Sequence, residues 1–226
     1  MTNKNNLQKA KNPFVFYARL SLTLATGKSV STARGLIEAL KICPDSVIYA
    51  HTHRFLQVHQ FTGPSPANDF SLWASHALGD EELAEKLGII EPLAYFSLAQ
   101  IRKDLISILS RHLESRTDNH SSSPGQELHL LSSIRFSIPT GQKAWNLEEF
   151  WKSLQKSSPA TLYLHAFESR LRSSQGVSDF SKWLKEEIGE ERLAQKIADL
   201  DPHAQTLSEI KENILAMTAQ RLEGGQ

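Results

Sequence analysis

Apolar positions along this chain recur in two matching series. Ala33, Leu36, Ile37 and Leu40 stand at i, i+3, i+4 and i+7, and Leu147, Phe150, Trp151 and Leu154 keep the same spacing. That spacing draws one apolar stripe along a helix, so an amphipathic helix is predicted in each half. Asn146 with Glu149 predicts an N-cap and its reciprocal partner. A second helix opens at Pro44 and at Pro159, since proline fits a first turn. The nearly all-apolar run 160–167 predicts burial on most sides.

Asp69 and Asp179 are placed to cap a third, short helix, which would run into Gly79 and Gly189 as C-terminal stops. Its apolar faces are Phe70, Trp73, Ala74 and Ala77 in one half, and Phe180, Trp183, Leu184 and Ile188 in the other. A fourth helix carries Leu83, Ala84 and Leu87, matched by Leu193, Ala194 and Ile197. The last begins at the capping-box patterns Ser97-x-x-Gln100 and Thr206-x-x-Glu209. Its stripe is Leu98, Ile101, Leu105 and Ile108 against Leu207, Ile210, Ile214 and Met217. Ahead of each helical series the period changes to two. Leu20, Leu22 and Leu24 alternate with polar residues, as do Ile134, Phe136 and Ile138. Period two predicts a strand, and two such strands would pair with each other because one alone is unstable. The alternative is a helix through residues 14–24.

The two series share motifs in the same order. Thr26-Gly27 recurs as Thr140-Gly141, Tyr49-x-His51 as Tyr163-x-His165, and Asp69-Phe70-x-x-Trp73 as Asp179-Phe180-x-x-Trp183. An internal duplication follows, with a polar tail at 1–12, copy one at 13–115, a Ser/Pro/Gly linker at 116–126 and copy two at 127–222. Copy one holds four extra residues within the loop-like segment 61–68. The fold expected is mainly α: an internally duplicated helical domain with pseudo-twofold symmetry, carrying a small two-stranded β element, its copies packed as one body.

Composition narrows the function classes. The 226 residues include 25 basic and 25 acidic ones, a formal net charge of +0. A dedicated nucleic-acid binder usually shows a basic excess, so no nucleic-acid partner is expected. No apolar run reaches the roughly 18 residues a membrane span needs, so no membrane partner is expected. Cys43 is the one cysteine, which rules out an intrachain disulfide and agrees with a reducing cytoplasm.

Candidate chemistry is sparse. Gly27-Lys28-Ser29 fails as a phosphate loop, because position 22 is leucine where that motif needs glycine. A helix-entry turn is the better reading of Gly27. His51 and His53 would point about 200° apart on a helix, which disfavours a shared metal ion. Neither metal nor cofactor is expected. His51 and His165 occur in both halves. Each is either a buried histidine bonded to a carbonyl or cap, or the partner of Asp69 and Asp179 respectively, where a carboxylate would fix the tautomer and raise basicity. The Tyr49 and Tyr163 hydroxyls reach either a ligand or a buried partner. These six residues, Tyr49, His51, Asp69, Tyr163, His165 and Asp179, are the candidate ligand-binding set.

The motifs Thr26-Gly27, Tyr49-Ala-His51, Asn68-Asp69-Phe70-Ser-Leu-Trp73, Leu78-Gly79-Asp80 and Leu83-Ala-Glu-Lys-Leu87 resemble a prokaryotic domain family of unknown function. The resemblance implies no activity. With no recognisable nucleophile, metal cluster or cofactor loop, the reading leans away from an enzyme. It favours a non-catalytic binding or regulatory module for a protein partner or small ligand. An enzyme using His51, Asp69 and Tyr49 is the alternative, and homodimerisation through the last helices is a third possibility.

Overall fold

The computed structural model describes residues 8–59, 67–115, 120–173, 176–200 and 205–224. Two strands, β1 (Phe14–Val30) and β2 (Leu128–Ala144), form a two-stranded sheet. The Thr26 hydroxyl donates to the Leu130 carbonyl and the Thr140 hydroxyl to that of Phe16, so the strands run antiparallel. Residues 14–24 are therefore strand rather than helix. The chain divides into two compact units, Ser21–Arg135 and Met1–Leu20 with Phe136–Gln226. The division falls inside the strands. Residues 13–20, which open the first series, belong with the second set of helices.

The unit Ser21–Arg135 contains α1 (Ala33–Ile42), α2 (Asp45–Tyr49), a π-helical turn at Ala50–Arg54, α3 (Phe55–His59), α4 (Asp69–His76), α5 (Glu81–Gly88) and α6 (Leu98–Glu114). The stripe Ala33, Leu36, Ile37 and Leu40 is buried as its spacing predicted, and α1 packs on α6. The core joins Leu36, Leu40, Phe70, Leu83, Leu105 and Leu130. Side chains of Val, Leu or Phe contribute about 1.5–3 kcal/mol each when fully buried.

In the other unit lie α7 (Leu147–Lys156), α8 (Pro159–Ala166), α9 (Asp179–Glu186), α10 (Glu191–Ala198) and α11 (Leu207–Gly224), with α7 against α11 and α9 against α10. Its core is aromatic. Phe14 lies edge-on to Phe16, Phe150 and Trp183 at centroid distances of 4.8, 5.9 and 5.7 Å.

A cation closes the end of the first helix in each unit. Arg102 donates to the carbonyls of Leu40 and Cys43 at the end of α1, and Lys211 to those of Gln155 and Ser157 at the end of α7.

Several local expectations need correction. Gly27 and Gly141 are not helix-entry turns. They sit inside the strands at φ 74° and 80°, the left-handed conformation that a strand bulge uses and a side chain resists. Ser97 makes no side-chain cap to α6, whereas the Thr206–Glu209 box forms, with the Glu209 N–H donating to the Thr206 hydroxyl at 3.2 Å. The buried stripes run through Leu109 to His112 on α6 and to Thr218 on α11, and Ile108 is only partly buried against the core. Within the expected tail, residues 8–12 are anchored: Ala10 is buried and its N–H donates to the Trp145 carbonyl at 2.7 Å. The loop segment 61–68 lies outside the described residues up to position 66, and the linker segment 116–126 up to position 119.

Candidate functional site

Helix α4 starts one residue earlier than the carboxylate suggested. Its cap is Asn68, whose side-chain oxygen accepts the Ser71 N–H at 3.0 Å, and Ser178 serves α9 likewise through the Ser181 N–H at 3.1 Å. Asp69 and Asp179 are thus the first residues of their helices rather than caps, which leaves their carboxylates free to point elsewhere. Each meets a histidine. His51 Nδ1 lies 2.5 Å from Asp69 Oδ2, and His165 Nδ1 lies 2.8 Å from Asp179 Oδ2.

The other ring nitrogen is also engaged. The Leu131 N–H donates to His51 Nε2 at 2.9 Å, and the Tyr17 N–H donates to His165 Nε2 at the same distance. A backbone amide can only donate, so Nε2 accepts and carries no proton in either ring. Nδ1 then holds the proton and donates it to the carboxylate. Each imidazole therefore ties the first turn of a helix to a strand backbone. His51 is 1% exposed and His165 is 4% exposed.

The tyrosines stand apart from these pairs. Tyr49 stacks on His53 at 5.4 Å, and the Arg135 guanidinium lies 4.2 Å from its ring centroid. Gln57 donates to its hydroxyl at 3.2 Å, which is the buried-partner outcome. Tyr163 is buried, 6.0 Å from the Phe167 ring. The π-helical turn sends His51 and His53 to different surroundings. Burial, reinforced by Arg135, pushes the His53 pKa down to about 3, so that ring is neutral. Among the described residues, no group of three or more His, Cys, Asp or Glu side chains is placed to hold a metal.

The two carboxylates are the accessible part of the site. The Asp69 side chain is 27% exposed and that of Asp179 is 35% exposed. Beside Asp179 opens a cavity of about 520 Å³ lined by Phe14, Tyr17, His165, Arg172, Lys182 and Trp183. Arg172 donates to Asp179 Oδ2 at 3.1 Å, giving that oxygen a second donor.

Three buried polar groups escaped the sequence. His112 Nε2 lies 2.8 Å from Asp80 Oδ2, both buried. Arg19 grips Glu168 with Nε and a terminal nitrogen, each at 2.8 Å, in a pair whose side chains are 8% and 2% exposed. Asn68, besides capping, donates to the carbonyls of Leu87 and Ile90. Asp80 and Asn68 did stand in the motifs quoted above, but their partners lie 32 and about 20 positions away.

The chain is thus mainly helical, with a two-stranded ribbon and one His–Asp clamp in each unit. A family of unknown function, DUF5752, matches residues 11–219, and the chain belongs to that family. No curated protein matches. Among solved structures, "The structure of OrfY from Thermoproteus tenax" is similar, with 27% sequence identity and a TM-score of 0.80 over 96% of this chain and 98% of that one.

Proposed function

We propose that this chain is an internally duplicated, non-catalytic binding module for a protein partner, contacted through its ribbon. The observation that carries the non-catalytic part is the saturation of both imidazoles. A general base needs a free nitrogen within reach of substrate, and here each ring has one nitrogen on a carboxylate and the other on a backbone amide. Duplication is supported by the equivalent clamps, by caps at equivalent positions, and by left-handed glycines at 27 and 141 and at 79 and 189.

Support for the binding surface comes from exposure. One unit presents Leu22, Leu24 and Ile134 at 48%, 45% and 43% exposure; the other presents Leu20, Phe136 and Ile138 at 48%, 44% and 47%. Several exposed aliphatic and aromatic side chains on the strands of each unit support an interaction surface there, unlike a scattered single one. The last helices, considered above for dimerisation, turn Ile101, Leu105, Ile210 and Ile214 inward.

The test is site-specific photo-crosslinking in the native host, at Leu22 and Phe136 with exposed Glu212 as control. One discrete protein adduct at both ribbon positions and none at Glu212 is expected. No adduct at the ribbon contradicts the surface, and substrate turnover that is lost in His51→Ala contradicts the non-catalytic reading. A small-ligand reading is favoured by one observation: the cavity beside the half-exposed Asp179.

A further inference from the structure

A second cavity, of about 580 Å³, lies in the unit Ser21–Arg135, where the ribbon meets the junction of α1 and α2. Its walls include Val30, Ala39, Ile42, Cys43, Val47 and Leu130. Two of the hydroxyls on its rim are already committed: that of Thr26 donates to the Leu130 carbonyl at 2.7 Å, and that of Ser132 to the Ser46 hydroxyl at 2.8 Å. Lys28 also lines it, and its ammonium makes no ion pair among the described residues.

Equivalent positions in the other unit give an internal comparison. Counted from the Tyr-x-His motif, Ala39, Ile42, Cys43 and Val47 correspond to Ser153, Lys156, Ser157 and Thr161. All four positions are apolar or thiol here and polar there. Ile42 is the telling one. It is 74% exposed at the end of α1, where α7 ends in Lys156. Core packing does not require an aliphatic side chain at a position exposed to that degree. The size falls in the range of small-molecule pockets, about 300–1,000 Å³.

We propose that this cavity binds a single-chain amphiphile, its hydrocarbon tail lying among Val30, Ile42, Val47 and Leu130 and its anionic head at Lys28. Such a ligand covers the exposed Ile42 and the half-buried Val30 over a floor of the already buried Val47 and Leu130, and brings an anion to the exposed Lys28 ammonium. The site is separate from the ribbon surface and does not rest on it.

Dodecanoate, used below its micelle concentration, is the probe. Cys43 is the single thiol of the chain and part of the wall, so its modification by a neutral disulfide reagent reports occupancy. Saturable one-to-one binding by calorimetry is expected, with at least about tenfold slower Cys43 modification at saturation. Combining Ile42→Lys with Val47→Thr, the side chains of the other unit, should weaken binding by about tenfold or more. Ile42→Lys alone, at an exposed position, keeps the test valid if the pair disturbs folding. Lys28→Glu should lower the affinity for dodecanoate to that for dodecanol. Absent saturable binding, or binding unchanged by Ile42→Lys in folded protein, overturns the proposal, and equal dodecanoate affinity in Lys28→Glu overturns the anionic head.

Discussion

The Leu131 amide meets His51 Nε2 at 2.9 Å, and this contact decides what the imidazole can do. Because the amide donates, the ring must be the Nδ1-protonated neutral tautomer, and Asp69 Oδ2 accepts a hydrogen bond from Nδ1–H at 2.5 Å. The same logic runs from the Tyr17 amide through His165 to Asp179. The motif both halves hold is a clamp from helix to strand. Losing the ring leaves a buried amide and a void. His51→Ala should therefore cost about 3 kcal/mol of unfolding free energy, combining an unsatisfied donor with a cavity. Asp69→Asn, whose amide oxygen can still accept from Nδ1, should cost less than about 1 kcal/mol. Urea unfolding of both variants checks the ordering.

His53 gives the protein an acid-sensitive element. Its pKa is depressed to about 3 by burial first and by the Arg135 charge second, against about 6.5 in an unfolded chain. A depressed histidine contributes stability that is fully present above the unfolded value and is lost as pH falls from about 6.5 toward 3. By pH 5.5 the loss should be roughly 1 kcal/mol. His53→Phe keeps the stacking on Tyr49 but cannot titrate. Its urea midpoint should fall less than that of the wild type between pH 7.5 and 5.5; parallel falls contradict this assignment.

Asn68 and Ser178 occupy equivalent helix starts with unequal duties. Ser178 caps through the Ser181 N–H, so Ser178→Ala should cost about 1 kcal/mol. Asn68 caps and also satisfies the Leu87 and Ile90 carbonyls from a fully buried position. Asn68→Ala should cost about 2–4 kcal/mol. Thermal unfolding of the two variants makes the comparison.

Arg19 and Glu168 form a buried two-point ion pair, with the Ser137 hydroxyl accepting from Arg19 at 2.8 Å. Glu168→Ala strands a buried guanidinium and should cost about 3–5 kcal/mol. Arg19→Met combined with Glu168→Leu should recover most of that loss, since apolar pairs often replace buried ion pairs without penalty. A double-mutant cycle in denaturant measures the coupling.

What the sequence made legible was periodic. Leu36, Leu40, Phe150 and Leu154 announced their helices by spacing, and the two-residue period at Leu20–Leu24 and Ile134–Ile138 marked strands that pair. Spacing says nothing about which end of a strand sits on which helices. Phe14 and Phe16 thus pack on Phe150 and Phe180, over 130 positions away. The His–Asp pairs were legible as candidates because both halves repeat them. Their meaning was not, because a strand amide leaves no mark in side-chain sequence. Asp69 was misplaced by one position for a local reason: Asn and Asp are both good caps, and the extended backbone at Asn68, φ −158°, settles which one serves.

The most direct test of the central claim is the protonation state of the two imidazoles, read from side-chain nitrogen shifts and from hydrogen-bond couplings by nuclear magnetic resonance at neutral pH. The account predicts that His51 and His165 are both neutral and protonated at Nδ1, with couplings from the Leu131 and Tyr17 amides to Nε2. A ring protonated at Nε2, or an Nε2 with no amide coupling and free exchange with solvent, would contradict it and return His51 or His165 to the list of possible bases.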